Sequence, residues 1–301
     1  MKHTPPLSSR PPPLSCSDAQ VTPTSIRVLA SIDEMTRVEF DRLSREIYDL
    51  TGIVLPPAKQ QLVTSRLHKR LNTLSLNSFG AYLDYLESEN GPAEAEHLCN
   101  AITTNLTSFF REPHHFVDLR GFLDGSNANG KPLKRVRIWC AACSSGEEPY
   151  SAAMTAVQSN PSGKDRDIRI LATDLDSDTL NKARSGTYPA ESVGALPGPV
   201  KTRFFAQKSA GRFTINPEIR DMVTFNRLNL HDRWPMNGRF DAIFCRNVLI
   251  YFDAQAKRSL VSRMVALLQP GGALYLGHSE SLLGHHPQLF SLGQTIFRKS
   301  Q

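Results

Sequence analysis

This chain has 301 residues, and none of its apolar runs approaches the ~18–20 residues that a membrane span requires, so integral membrane readings are excluded. The opening stretch MKHTPPLSSRPPPLSC has charge and prolines but lacks an apolar h-region. Neither a secretory signal nor lipid attachment at Cys16 is expected from it. Cysteine is scarce at five residues, an odd number. Without an export signal, that usage implies reduced thiols and a cytoplasmic location. Neither sign of charge dominates: 35 basic against 29 acidic side chains give +6, too little to argue for a nucleic-acid protein. No repeat of ~20–50 residues is present. What remains is ordinary globular composition, 40% apolar and 21% charged. The length suits about one and a half to two domains, with a large core that needs no disulfides.

Charge is unevenly distributed. Residues 1–30 hold six of the 20 prolines and show no periodicity, which reads as a disordered tail. Residues 31–128 are net −5 and residues 129–301 net +9. Between them the stretch DGSNANGK (124–131) reads as an interdomain linker.

The first domain reads as helical. Thr36 and Glu39 have capping-box spacing, and Phe40, Leu43, Ile47 and Leu50 then recur at helical intervals. Gly52 ends that helix and Pro56-Pro57 blocks its restart. A second helix is expected over 58–74, with Leu62, Val63, Leu67, Leu71 and Leu74 apolar; shorter ones fit 79–87 and 93–104. The second domain alternates. Strands are expected over 136–142, 168–173, 240–245 and 273–277, with helices over 147–158, 177–184 and 254–268, the last stopped by Pro270-Gly271-Gly272. That alternation predicts a doubly wound parallel sheet. The rhythm breaks over about 188–228, where Arg212–Ile215 and Met222–Asn226 read as short antiparallel strands of an inserted β-subdomain.

Four segments carry chemistry. In WCAACSSGEEPYS (139–151), a buried strand runs through small residues into a helix opening at Glu147. Small residues let a ligand approach the backbone at a helix N-terminus. The three-glycine dinucleotide fingerprint is missing, which disfavours a nicotinamide dehydrogenase. Glu147 and Glu148 favour a cationic ligand, or else only complement the helix dipole. In ATDLD (172–176), Asp174 stands where a carboxylate can accept from two ribose hydroxyls, while Asp176 or Ser177 can cap the next helix. NLTSFFREPHHF (105–116) reads either as a site loop or as a buried helix-to-loop turn. Its His pair does not share a helix face, and no nearby carboxylate reads as a third ligand, so no metal is expected. FDAIFCRNVLIYFD (240–253) is an apolar strand ending in Arg246-Asn247, where ligands sit in open α/β sheets. Cys140 and Cys143 form a C-x-x-C without a second pair, which reads as packing and not as redox or zinc chemistry. No acidic residue lies between Asp49 and Asp84. Lys59, Arg66 and Arg70 fall within about 40° on a helical wheel, with Lys69 nearby, forming either a solvated face or a docking surface.

Together these segments, with ILATDLDSDTLNKARSGTY, RLNLHD, LLQPGGALYLGHSES and GQTIFRK, resemble the chemotaxis receptor glutamate methyltransferases (CheR type) over about residues 36–300. The resemblance implies a helical N-terminal domain, an S-adenosylmethionine-binding domain with an inserted antiparallel β-subdomain, and methyl-ester formation on glutamates in the receptors' cytoplasmic helical bundle. It implies that Asp174 holds the ribose. Glu148, Arg111, Asn105 and Thr107 would contact or shape the methionine end. Asn229 and Leu230 would flank adenine and ribose, and Arg246, Asn247 and Tyr251 would lie near the methyl group. The basic helix with Lys59, Arg66, Lys69 and Arg70 would face the receptor. The hairpin FAQKSAGRF (205–213) is shorter and poorer in glycine than in family members that dock a receptor's C-terminal pentapeptide, so weak or absent tether binding is expected. The protein would be cytoplasmic and recruited to receptor arrays, with no metal and no nucleic acid.

A glutamate is ionised at pH 7, so the reaction needs no general base. It needs desolvation and alignment. Arg111 and Arg246 are the candidates to anchor one acceptor oxygen, with Tyr251 as a positioning donor. A nucleic-acid methyltransferase would suit the +9 domain, but Arg246-Asn247-Val248-Leu249 replaces the Asn/Asp-Pro-Pro-aromatic motif of the amino-methylating class. A cofactor-sensing module without activity is the other alternative, disfavoured by the intact Asp174, Arg111 and Tyr251.

Overall fold

A computed structural model describes residues 1, 34–125, 132–159, 166–282, 284 and 286–301. The expected tail and most of the 124–131 linker lie outside the described residues.

The helical part opens with α1 (Arg37–Thr51), α2 (Gln60–Leu74), α3 (Phe79–Leu86) and α4 (Gly91–Ile102). The capping box at Thr36 is formed, with Glu39 N–H donating to Thr36 Oγ1 and Thr36 N–H donating to the Glu39 carboxylate. Gly52 closes α1 in the left-handed region at φ 72. A Cβ there would stand 2.6 Å from His231 Nδ1, so glycine is required twice over. Phe40, Leu43, Ile47, Leu67 and Leu71 form the core of this part and are at most 1% exposed. Each contributes about 1.5–3 kcal/mol by burial. Two residues of the expected apolar faces behave otherwise: Leu50 is 37% and Leu62 41% exposed. The chain before α2 forms a separate turn of 3-10 helix over Pro57–Lys59, with Pro57 at its first position, where the missing N–H costs nothing.

Next come α5 (Pro113–Asp124), β1 (Arg135–Cys140), α6 (Glu147–Gln158), β2 (Asp167–Asp174) and α7 (Ser177–Ser185). The inserted subdomain follows: β3 (Thr187–Pro189), α8 (Ala190–Gly194), α9 (Gly198–Phe204), β4 (Phe205–Ser209), β5 (Arg212–Ile215) and α10 (Pro217–Arg220). The chain ends with β6 (Val223–Arg227), β7 (Phe240–Cys245), α11 (Ala254–Leu267), β8 (Leu268–Leu276), β9 (Leu289–Gly293) and β10 (Ile296–Lys299). The main sheet has the order β6-β2-β1-β7-β8-β10-β9. Its first five strands are parallel, and β10 pairs antiparallel with both β8 and β9. The subdomain is a separate antiparallel sheet, β3-β5-β4. This is the expected α/β methyltransferase architecture.

Four local readings change. The Met222–Asn226 strand is not part of the insertion: β6 pairs parallel with β2 from Ile170–Val223 to Asp174–Arg227, extending the main sheet. Pro270-Gly271-Gly272 does not merely stop a helix but lies inside β8, where the register against β7 shifts between Phe240 and Ala242. Such a bulge tolerates a proline that a regular ladder would not. The hairpin β9–β10 was not anticipated. Nor was α5, which buries Phe116, Leu119, Phe122 and Leu123 in the core shared by β1 and α6. The change of core therefore falls before α5 and not at residue 128.

Candidate functional site

A cavity of ≈ 420 Å³ lies at the carboxyl ends of β1, β2 and β7, the ends at which open α/β sheets bind ligands. Its floor includes Ala141, Ala142 and Ser144 after β1, Asp174 at the end of β2, and Arg246 to Val248 after β7. The loop 102–107 with Arg111 forms one wall, and the helical part roofs it with residues 51, 53–56, 59, 62, 63 and 66. All nine residues expected around the cofactor line it: Asn105, Thr107, Arg111, Glu148, Asp174, Asn229, Leu230, Arg246 and Asn247. So does Tyr251.

The local backbone explains why these side chains converge. Trp139 Nε1–H donates to Thr173 Oγ1 at 2.9 Å, which donates to Ala141 O at 3.2 Å, locking the ends of β1 and β2 together. Ser144 (φ 48), Asn247 (φ 57), Phe110 (φ 52) and Glu112 (φ 55) all adopt the left-handed region. Such conformations cost free energy and persist where surroundings hold them, as at functional loops. Gly146 at φ 96 leaves no room for a Cβ, which would stand 2.9 Å from both Ala183 Cβ and the Tyr188 hydroxyl.

Asp174 is 8% exposed. Its Oδ2 accepts from Ser144 N–H at 2.7 Å and its Oδ1 from Asp176 N–H at 3.0 Å. Burial raises its pKa above the ordinary carboxylate value, and those backbone donors work against the rise. Asp176 is the cap of α7, accepting from Asp178 and Thr179 N–H. Its other oxygen accepts from Asn105 Nδ2 at 2.7 Å. Asn105 therefore anchors the wall loop to β2, and its carbonyl accepts from Ser144 Oγ at 3.0 Å. Asn229 is likewise committed, donating through Nδ2 to Leu50 O at 2.7 Å and accepting from His231 N–H.

Arg246 is the buried centre of the charge arrangement, its side chain 2% exposed. Nη1 donates to Glu148 Oε2 at 3.0 Å, and Nη2 lies 3.4 Å from Glu112 Oε2 and donates to Arg111 O. Burial holds the Glu148 pKa above its ordinary value, with Arg246 opposing. Glu112 also feels burial upward, but Arg246 and the His278 donors bring it net below. Glu148 Oε1 is buried without a hydrogen-bond partner among the described residues. The Cys140 thiol lies beside the Glu148 carboxylate as a second neighbour besides Arg246, and the carboxylate gives this part of the cavity wall a negative charge that suits a cationic ligand.

Three further observations modify the sequence reading. Glu112 does bring a carboxylate to the His pair: atoms of Glu112, His114 and His115 lie within 4.8 Å of one another. The Arg246 guanidinium beside Glu112 opposes a cation there. Cys140 and Cys143 are buried thiols whose pKa values burial raises well above the ordinary range, which disfavours thiolate chemistry. Arg70 is not free for docking, because it forks onto buried Glu94, whose Oε1 also accepts from Tyr82 OH at 3.0 Å. Arg66 donates to the Ile102 and Thr103 carbonyls at the end of α4. Lys59 and Lys69 remain exposed.

One residue that braces the cavity loops was missed. Glu280, 5% exposed, accepts from Gly277 N–H at 2.7 Å, Asn247 N–H at 2.9 Å and Ile250 N–H at 3.3 Å. It ties the loop after β7 to the loop after β8. The signal was present: a carboxylate in GHSES, just beyond a strand's carboxyl end.

Comparison with known proteins adds the family. Residues 38–103 match the all-alpha domain of CheR methyltransferases, and residues 105–297 match the CheR methyltransferase SAM binding domain. The chain belongs to the CheR methyltransferase family. Within it, the chain is 44% identical over 266 residues to chemotaxis protein methyltransferase 2 of Pseudomonas aeruginosa, covering 87% of this chain and 93% of that protein. It is 40% identical over 272 residues to the chemotaxis protein methyltransferase of Escherichia coli, covering 89% and 92%. The two family domains meet at residues 103–105, so α5 falls with the methyltransferase part, in agreement with its packing.

Proposed function

We propose that the chain transfers a methyl group from S-adenosylmethionine to glutamate side chains of chemoreceptors, forming methyl esters. One arrangement carries the reading: the cavity holds carboxylates of Asp174 and Glu148 and guanidinium groups of Arg246 and Arg111, and the helical domain roofs it. The cavity fits the cofactor through the two Asp174 oxygens, which suit ribose hydroxyls, and the Glu148 carboxylate, whose charge suits the cationic methionine end. Asn105 and Thr107 shape that end, and Asn229 and Leu230 flank the nucleoside. When bound, the cofactor supplies an electrophilic methyl group. The remaining work falls to this chain. Arg111 and Tyr251 position the acceptor carboxylate, which is already ionised and needs no base. Arg246, expected from the sequence to share that work, is instead committed to Glu148, Glu112 and the Arg111 carbonyl and holds Arg111 in place. The Arg111 guanidinium holds one acceptor oxygen and leaves the other free. The roof excludes water from a well-hydrated nucleophile.

The partner is the cytoplasmic helical bundle of methyl-accepting receptors, which brings the protein to membrane-bound arrays. Lys59 and Lys69 offer charge to it, and Arg66 and Arg70 hold α2 in place behind them. The β4–β5 hairpin turns through Ala210-Gly211 with Ser209 opposite Arg212, a compact form that leaves tether-pentapeptide binding weak or absent. The test incubates the protein with methyl-labelled S-adenosylmethionine and receptor-bearing membranes. Label released as methanol by alkali supports the ester. Alkali-stable label, or none despite bound cofactor, overturns it.

A further inference from the structure

Four exposed apolar side chains stand around the cavity, and the cofactor reading uses none of them. Leu106 is 81% exposed, Ile250 47%, Val54 42% and Leu62 41%, and all four line the cavity. They come from the wall loop, the turn after β7, the α1–α2 connection and α2. Single exposed apolar residues are ordinary; four from separate segments around one opening form a patch.

Three of these four segments are tied to their neighbours by hydrogen bonds. Leu106 O accepts from Arg111 Nη1 at 2.9 Å. Val54 N–H donates to Tyr251 O at 2.8 Å. Ile250 N–H donates to the buried Glu280 carboxylate at 3.3 Å. A partner therefore meets a surface that loses little freedom on binding. Exposed Lys59 gives the patch a cationic edge, within a stretch that has no acid from residue 50 to 83.

Building on the methyl-transfer reading, we propose that this rim docks the acceptor helix itself. A glutamate side chain is short, so a carboxylate that enters the cavity brings its own helix backbone to the mouth. Residues three and four positions away on that helix then meet the rim. Leu106, Ile250, Val54 and Leu62 take up the apolar residues that flank the acceptor glutamate, while Lys59 meets acidic residues at the stripe's edge. The contact seals the mouth and strips water from the carboxylate.

The test uses the full chain with S-adenosylhomocysteine bound and the cytoplasmic fragment of a methyl-accepting receptor from the same organism. Leu106→Ser and Leu62→Ser are each expected to weaken receptor binding about tenfold, with KM for receptor rising in parallel. Retained calorimetric heat with S-adenosylhomocysteine shows that each variant is folded. Val117→Ser, which removes a 73% exposed apolar residue on α5 outside the cavity lining, is expected to change nothing. Receptor affinity within twofold of the unmodified chain for both rim variants, or an equal loss in Val117→Ser, overturns the proposal. Base-labile label transferred by the unmodified chain separates the two readings: label with unchanged variant KM rejects the rim alone, and no label rejects both.

Discussion

Replacing Arg246 by methionine removes the buried cation and keeps much of its volume. Glu148 at 3.0 Å and Glu112 at 3.4 Å are then left facing each other without a counter-charge. Removing one partner of a buried ion pair costs about 3–5 kcal/mol, and we expect a loss of that size at about pH 7.5. The loss has a definite pH dependence. Burial already raises Glu148, and the guanidinium is what opposes it. Without Arg246 the Glu148 carboxyl rises further above its unfolded value, and Glu112 rises as it loses the guanidinium that holds it down. A carboxyl with a raised folded pKa leaves stability intact below its unfolded pKa and loses it as pH rises through the folded one. The deficit of Arg246→Met is therefore large near neutrality and shrinks toward about pH 5, where the carboxyls take up protons. Urea unfolding followed by tryptophan fluorescence reads this directly, since Trp139 is fully buried in β1. A deficit below about 1 kcal/mol at neutral pH would refute the reasoning, and so would one that does not change with pH.

Other outcomes follow from the same geometry. Asp174→Asn is expected to weaken S-adenosylhomocysteine binding about 10- to 100-fold by calorimetry, the worth of one charge-assisted hydrogen bond; an unchanged Kd would remove Asp174 from the site. Arg111→Ala is expected to lower kcat at least about tenfold with little change in Tm, because the hydrogen bond it gives up is a surface one to Leu106 O; a near-normal rate would exclude it from acceptor positioning. Glu280→Ala orphans three backbone donors and is expected to destabilise by several kcal/mol at about 1–3 kcal/mol each, whereas Glu280→Gln keeps one acceptor oxygen and loses less; equal losses in both would sink the tie. Burial, with Arg246 repulsion, lowers the His115 pKa to about 4. Its stability contribution is whole above the unfolded pKa of about 6.5 and is lost as pH falls toward 4, up to about 3 kcal/mol. His115→Asn should flatten that acid limb in urea titrations, and an unchanged limb would count against it.

Much of this was readable from residue order alone, for physical reasons. The parallel core declared itself because the carboxyl-terminal halves of β1, β2 and β7 are buried on both faces and so appear as short apolar runs, although Arg137, Arg169 and Asp241 interrupt each strand nearer its start. The rule that ligands sit at carboxyl strand ends then selected Asp174, Arg246 and Asn247 without any knowledge of the packing. What stayed hidden depended on partners distant in sequence. Periodicity assigned Leu62 and Leu50 to a core face, but both are exposed, and Leu62 stands in the roof over the cavity. The stripe of Lys59, Arg66 and Arg70 was real on the helical wheel, yet charge counting could not show that Glu94 and the end of α4 occupy two of its members. β6 carries little apolar signal because it is an edge strand, so its parallel pairing with β2 is written in the sheet and not in its own residues.

The division of the chain into two family domains understates how far the site depends on both. The end of α1 and the loop after it are bound to the very loops that line the cavity. Asn229 donates to Leu50 O, Tyr48 OH donates to the Asp253 carboxylate at 2.7 Å, and Ile53 pairs with Phe252 in an antiparallel bridge. Val54 N–H holds the carbonyl of Tyr251, the residue whose hydroxyl is proposed to orient the acceptor. Glu280 holds the same turn from the other side through Ile250. Tyr251 thus sits between a helical-domain backbone bond and a methyltransferase-domain carboxylate. Its position is set by the contact between the domains, so the part of the cavity proposed to take the acceptor is built by both of them.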